Sequence, residues 1–385
     1  MSEQNSTIVD NKVCVYAICK NEGKYVDKWV ESVKEADLIV VLDTGSTDDT
    51  KEKFQPYVEK GIVDFHSKTY PDGFRFDVAR NDALDLIPSD YNIRVSVDLD
   101  EIFEPGWADE MRALWVEGQH ERGSYRYAWS HMENGEPGRI FMYNKAHSRN
   151  WRWEFPVHER LYDIRTHTAD EYTEEQRVYF PSVFLHHYPD SAKSRGSYLP
   201  MLELRVKENP DEVNGLIYLA HEYSYRNMPE KSIKLAYDII DRFPDLSSTY
   251  ISNMYLFLGD NYRKLKNSTK AYESYFHAIQ CDPTYREAYL QLATLCNDTK
   301  QYELSIAFVH ACIKNTYRHF SWIERDTSWT YQPYDILAIA YYYSGHKIKS
   351  LGYAYKAYEI NKDNERLKNN VEQIIKNIKD EDLLD

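Results

Sequence analysis

Arg94-Val-Ser-Val-Asp-Leu-Asp-Glu-Ile-Phe103 is the stretch from which the first half of the chain is best read. Arg94 to Val97 alternates like a strand and runs directly into Asp98, Leu99, Asp100 and Glu101. Carboxylates at the end of a buried strand are costly unless something pairs with them. With a side-chain period of two, Asp98 and Asp100 are expected on one face of that strand. Two oxygen ligands on one face suit a hard divalent cation, which in turn suits a diphosphate. A D-x-D alone also fits a strand ending in a polar turn, so its meaning depends on what surrounds it.

Upstream, apolar runs at Val13–Ile18, Leu38–Leu42, Gly61–Phe65 and Ile93–Val97 read as strands. Helical patterns lie between them, over Lys24–Ala36, Thr47–Lys60 and Arg75–Ile87. Strands alternating with helices of this length mean a mostly parallel sheet. Ligands of such sheets sit outside the carboxyl ends of the strands. The acidic turns at Asp43 and at Asp98/Asp100 both lie at such ends.

Composition sets the wider bounds. The 385 residues suggest two or three domains, and a formal charge of −15 argues against a broad electrostatic grip on nucleic acid or anionic membrane. No apolar run is long enough to span a bilayer. Met1–Asp10 is polar and lacks the apolar centre of a signal peptide, so the expectation is a cytoplasmic protein of a bacterial or virus-infected host cell. The five cysteines are odd in number and at no metal-like spacing, which predicts reduced, packed thiols.

Four pieces then stand in order: Ile18-Cys-Lys-Asn-Glu22, Val40-Val-Leu-Asp-Thr-Gly-Ser-Thr-Asp-Asp-Thr50, Phe76-Asp-Val-Ala-Arg-Asn81 and Val97-Asp-Leu-Asp-Glu101. Together they resemble family-2 glycosyltransferases over roughly residues 12–200. The closer likeness is to a bacterial and viral branch reading K-N-E, D-T-G-S-T-D, A-R-N and D-A-D-E; the departure is Leu99. The resemblance implies a GT-A, Rossmann-like fold and a nucleotide-diphosphate sugar donor, often UDP-linked, with Mn²⁺ or Mg²⁺. It implies that Asp43 accepts a hydrogen bond from the base or ribose. Asp100 is then the best metal ligand, and Asp98 contacts ribose or a metal-bound water. Asn21, Glu22, Arg80 and Asn81 become donor-site residues, Arg80 being suited to a phosphate. The open alternatives are a polar turn for Asn21 and Glu22, and a solvated helix face for Arg80 and Asn81. Asp48 reads as a helix N-terminal residue complementing the dipole.

Beyond Pro105, Gly123–Trp129 and Arg139–Tyr143 alternate like strands, with a tight turn at Asn134-Gly135 between them. Val157-His-Glu159 also resembles the branch. An inverting transfer needs a base beside the acceptor nucleophile and neutralisation of the developing diphosphate charge. Glu159 is the choice for the base, with Asp100, Glu101 and Glu154 as rivals. His158 would orient Glu159 or touch the diphosphate. A His-Tyr of the branch is best matched by His187, which would complete the metal shell or hold the leaving diphosphate, with His186 as its rival. Lys193 and Arg195 follow, either in a loop closing over phosphates or in an exposed basic linker.

The second half is periodic. Tyr255, Leu258, Gly259, Tyr262, Ala271, Tyr275, Ala278 and Pro283 follow the tetratricopeptide pattern, and Tyr289 stands 34 residues after Tyr255. Units around Leu216–Pro244 and Tyr334–Ala357 repeat it, so four helical hairpins should form a short solenoid. An insertion, Tyr317–Tyr331, carries aromatic and arginine side chains. These would either stack on a sugar or base, or cover the solenoid's own core.

The expected architecture is therefore an α/β GT-A catalytic domain over residues 1–200, followed by an all-α tetratricopeptide-repeat solenoid over 201–385. The expected activity is a metal-dependent inverting transfer from a UDP-sugar to a glycan, a protein or peptide, or a modified base. Two alternatives stand beside it: a degenerate transferase serving as a repeat scaffold, and a phage-type DNA hydroxymethylcytosine glycosyltransferase. Self-association through the repeats is a further possibility.

Overall fold

The structure, a computed structural model, describes residues 11–132, 135–166, 176–190, 196–319 and 321–378. Asn134, Lys193, Arg195, Phe320 and the last residues of the tail lie outside the described residues. The chain gathers into two compact units, Met1–His131 with Ile140–Arg205, and Met132–Arg139 with Val206–Asp385.

The first unit is built on β1 (Val13–Cys19), β2 (Leu38–Asp43), β3 (Asp64–Ser67) and β4 (Ile93–Ser96). These are joined by α1 (Val26–Val33), α2 (Thr50–Glu59) and α3 (Phe76–Leu84). Next come β5 (Glu101–Phe103), α4 (Trp107–Leu114), β6 (Arg122–Ala128), β7 (Ile140–His147), the β8 (Trp151–Glu154) and β9 (Arg160–Asp163) hairpin, and β10 (Arg177–His187). The main sheet runs β3-β2-β1-β4-β7-β6-β10-β5. β1 pairs in parallel with β2 and β4, and β2 with β3; β7 is antiparallel to both its neighbours. The chain thus moves from β1 out to β3 and returns to β4 on the other side of β1. Sheets of this kind place their ligands at such a reversal, outside the carboxyl ends of the strands, here those of β1 and β4.

β1 is buried along its whole length, as its uninterrupted apolar run requires. Val13, Val15 and Ala17 face one core with Trp29 of α1 and Phe54 of α2. Cys14, Tyr16 and Ile18 face another with Ala79 and Ala83 of α3 and Trp151 and Trp153 of β8. Tyr16 sits inside because its hydroxyl is satisfied: Trp153 Nε1 donates to it at 2.8 Å, and it lies 2.8 Å from His147 Nε2. The third strand begins later than its apolar residues suggest, at Asp64, because Gly61 makes a left-handed turn at φ 68°.

From Val206 onward the second unit is built of helices. α5 (Tyr198–Glu208) crosses the boundary between the units. Hairpins follow: α6 (Val213–Tyr225) with α7 (Pro229–Arg242), α8 (Ser248–Lys264) with α9 (Ser268–Cys281), α10 (Arg286–Asp298) with α11 (Tyr302–Lys314), and α12 (Gln332–Tyr343) with α13 (Lys347–Ile360). α14 (Glu365–Asn377) ends the array, in the tetratricopeptide manner the period predicts. The small residues mark helix crossings. A Cβ on Gly259 would lie 2.3 Å from the Tyr275 ring. Ser232 and Ser350 each donate across their own crossing, to the Ala220 and Ala338 carbonyls at 2.7 Å. Among the described residues no helix is long and apolar enough to cross a membrane.

The insertion covers the inner helices of this array. Trp322 lies against Tyr218 of α6 and donates to the Tyr250 hydroxyl of α8 at 3.1 Å. Arg325 donates to Asp260 at 2.8 Å, and Thr327 contacts both carboxylate oxygens of Glu287 at 2.9 Å. Arg286 and Arg318 lie over the Trp329 ring. Trp322, Trp329, Arg318 and Arg325 of the insertion are therefore engaged by the unit itself, in line with the second of the two readings.

Candidate active site at the carboxyl ends of the sheet

Two turns are laced together where β1 and β2 end. Asn21, held left-handed at φ 57°, turns its side-chain oxygen to the backbone N–H groups of Thr47 and Asp48, at 2.7 and 3.3 Å. Its own N–H donates to Ser46 Oγ, and that of Glu22 to Thr50 Oγ1, at 2.9 and 2.8 Å. Asp43 is fully buried and accepts from the N–H groups of Gly45 and Ser46 at 3.1–3.2 Å, with Lys51 Nζ at 3.4 Å. Its carboxylate shapes the D-T-G-S turn, which passes through Gly45 at φ 106°. Asp48 accepts from the N–H groups of Thr50 and Gly23, so its carboxylate sits at the start of α2, one residue before the N-cap Asp49.

The acidic turn departs from the sequence expectation. β4 ends at Ser96, and residues 98–101 form a turn in which the Glu101 N–H donates to the Asp98 carbonyl at 2.9 Å. Asp98 and Asp100 therefore do not share one face of a strand; they serve different partners. Asp98 pairs with Arg80 at 2.9 Å and with Lys145 at 3.5 Å. Lys145 also lies 3.9 Å from Glu101, which is buried and accepts from the Tyr127 hydroxyl at 2.8 Å. Burial pushes the Glu101 carboxyl above its usual range. Burial alone would pull both cations down. The carboxylates of Asp98 and Glu159 outweigh it for Arg80, and those of Asp98 and Glu101 for Lys145, so both stay charged.

Asp100 meets His187 instead, at 3.4 Å. His187 Nδ1 lies 3.1 Å from the Trp129 carbonyl and donates to it, leaving Nε2 towards Asp100. Burial opposes protonation of His187, but the Asp100 carboxylate outweighs it and raises the pKa. An imidazole nitrogen oriented by a backbone carbonyl, beside a carboxylate, is a donor set that fits Mn²⁺ better than Mg²⁺. Were a cation held by this pair, its remaining positions would fall to phosphate oxygens and water. Among the described residues no group of three or more His, Cys, Asp and Glu side chains is arranged to hold a metal, so Asp98 does not complete a protein shell here.

The V-H-E turn joins β8 to β9. Glu159 lies against Arg80, and Arg80 is buried at 4% exposure, so it is not on a solvated helix face. His158 is exposed and left-handed at φ 50°, and Phe155 is left-handed at φ 80°. Such conformations in non-glycine residues cost about 1–3 kcal/mol each and persist only where surroundings enforce them. Here Arg205 of α5, 1% exposed, donates to the carbonyls of Val157 and His158 at 3.0 and 2.6 Å and lies over the Phe155 ring. Asn81 donates to the Trp153 carbonyl at 2.8 Å and accepts from the Trp153 N–H at 2.9 Å. Its amide thus anchors β8.

The fold brings Asp98, Glu159 and Arg80 into one cluster and pairs Asp100 with His187, while Asn21, Glu22 and Asp43 form the neighbouring laced turns. His186 contacts Glu104 at 2.9 Å rather than Asp100. Lys145 and Arg205 were missed by the sequence reading. One is a lone lysine in an alternating strand and the other a lone arginine in a helix, so neither carries a motif.

Residues 14–179 match Glycosyl transferase family 2. Solved structures similar to this chain include MamA, at 18% identity, covering 46% of this chain and 97% of that one with a TM-score of 0.36. TTC0263, a thermophilic TPR protein of Thermus thermophilus, is 17% identical, covering 46% and 88% with a TM-score of 0.34. YrrB, described as a TPR protein with an unusual peptide-binding site, is 13% identical, covering 44% and 80% with a TM-score of 0.34. No curated protein matches the chain. Over residues 14–179 the chain carries a glycosyl transferase family 2 domain, which supports a glycosyltransferase.

Proposed function

We propose that the protein is a metal-dependent, inverting glycosyltransferase that uses a nucleotide-diphosphate sugar, UDP-linked. The observation carrying this reading is that the laced turns and the acidic turn follow the carboxyl ends of adjacent parallel strands, β2, β1 and β4, and that Arg80 ties the acidic turn to the V-H-E turn. In this reading Asn21, Glu22 and Asp43 shape the nucleoside side of the site, and Asp98 contacts ribose or a metal-bound water. Asp100 and His187 hold the cation, which when bound neutralises charge on the diphosphate. Glu159 takes the proton from the acceptor nucleophile as its oxygen, or a similar atom, bonds to the anomeric carbon. The bond from that carbon to the diphosphate breaks on the opposite face, and the nucleoside diphosphate leaves. His158 orients Glu159 or meets the leaving group. The acceptor is a hydroxyl or similar nucleophile on a glycan, a protein or a modified base.

The test is nucleotide release from a panel of nucleotide-sugars, with manganese and then with chelator. Release from one donor, lost on chelation, is the expected result. A folded protein that turns over none of them would favour the scaffold reading.

A further inference from the structure

We infer that Arg80 is a positioning residue that fixes Glu159 against the acidic turn, rather than a contact for the donor's phosphates. The inference rests on the reading of Glu159 as the base. Each of the three guanidinium nitrogens already serves a protein oxygen. Nε pairs with Glu159, one terminal nitrogen donates to Ser96 Oγ at 2.8 Å, and the other pairs with Asp98 at 2.9 Å. The group is buried and lies 5.2 Å from the centre of the Trp153 ring. A phosphate could reach a remaining terminal N–H only by entering a cluster in which Arg80 is 4% exposed.

The geometry around it has the same purpose. Arg80 and Asn81 are neighbours on α3. Asn81 fixes the β8 backbone at Trp153, Arg80 fixes the Glu159 carboxylate, and Arg205 fixes the intervening carbonyls of Val157 and His158. The turn between Phe155 and Glu159 is thereby clamped from its start to its end, through two left-handed residues. One planar cation bridging Ser96 at the end of β4, Asp98 in the acidic turn and Glu159 sets the spacing between the donor side and the base. Lysine has one nitrogen and cannot bridge the three in a fixed plane.

The experiment compares wild type, Arg80→Lys, Glu159→Gln and Glu159→Ala in the full chain. Steady-state turnover of the nucleotide-sugar is measured together with hydrogen exchange of amides 155–161. Positioning predicts that Arg80→Lys lowers kcat on the order of 10²-fold while the donor KM stays within about threefold. It also predicts faster exchange across 155–161. A raised donor KM with kcat preserved would overturn the inference in favour of a phosphate contact. If Arg80→Lys does not fold, the Glu159 pair decides. Glu159→Gln still accepts from Arg80 and should leave exchange at 155–161 unchanged, whereas Glu159→Ala should accelerate it. Equal exchange in both would overturn the clamp. Absence of turnover in wild type would refute the proposed function, while the exchange measurements would still decide whether Arg80 holds the turn.

Discussion

Each unit of this protein holds an arginine between two carboxylates, and the two arrangements have different outlets. In the α/β unit Arg80 stands between Asp98 and Glu159; in the helical unit Arg325 pairs with Asp260 and lies near Glu287. Both arginines stay charged because the nearby carboxylates outweigh burial. Around Arg325 the Glu287 end is closed: Glu287 is 2% exposed and Thr327 covers both of its oxygens. Around Arg80 the network opens outward, with the Asp98 side chain 32% exposed and sited outside the end of β4. On the proposed function, a buried ion cluster is a sign of chemistry where topology leaves it an opening. Elsewhere it fixes a fold.

Breaking one member of each cluster should separate the two roles. The largest effect is expected from Asp100→Ala, beside the open cluster. Nucleotide-sugar turnover should fall on the order of 10³-fold, about 4 kcal/mol in the barrier, with the unfolding midpoint unchanged. In the helical unit's cluster, Arg325→Met should leave Asp260 without its cation and lower stability by roughly 3 kcal/mol in denaturant unfolding, without lowering turnover. That is the lower end for a broken buried pair, since Arg325 is only partly buried. Gly259→Ala drives a methyl into the Tyr275 ring and should cost about 2 kcal/mol by the same measurement, although alanine favours helix.

The smallest effect concerns the α/β unit alone and depends on pH. His147 is fully buried and held neutral, its pKa pushed well below the usual imidazole value by burial. The unfolded chain takes up a proton near pH 6.5 and the folded one does not. Its stability contribution is therefore complete above about pH 6.5 and falls as pH drops, by about 1.4 kcal/mol per pH unit. Unfolding followed between about pH 7 and 5 should show this slope in wild type and a shallower one in His147→Gln.

Much of the architecture was legible because it is periodic. β1 reads as buried on both faces since its apolar run has no polar partner face, and the helical hairpins follow from small and aromatic residues recurring at a fixed interval. The candidate site was legible only in part. Its acidic, K-N-E and V-H-E turns announce themselves as polar interruptions of apolar strands. What the side chains of those turns touch is decided by tertiary approach. Sequence period placed Asp98 and Asp100 on one face, but β4 stops at Ser96 and the turn sends them to different partners. Arg80 looked equally fit for solvent or phosphate because α3 has no strong apolar stripe to orient it. Lys145 and Arg205 gave no sign, since a single long cation in a strand or helix becomes a clamp only when a distant carboxylate or carbonyl closes on it.

The central claim is that Asp100 and His187 bind a cation together with a sugar nucleotide's diphosphate. Manganese titrated into the protein with UDP, followed by loss of the free-ion electron paramagnetic resonance signal, tests it directly. Wild type should bind the ion more tightly with UDP than without, and His187→Ala should weaken binding by at least about tenfold. Equal manganese binding by wild type and His187→Ala, or binding indifferent to UDP, would contradict the account.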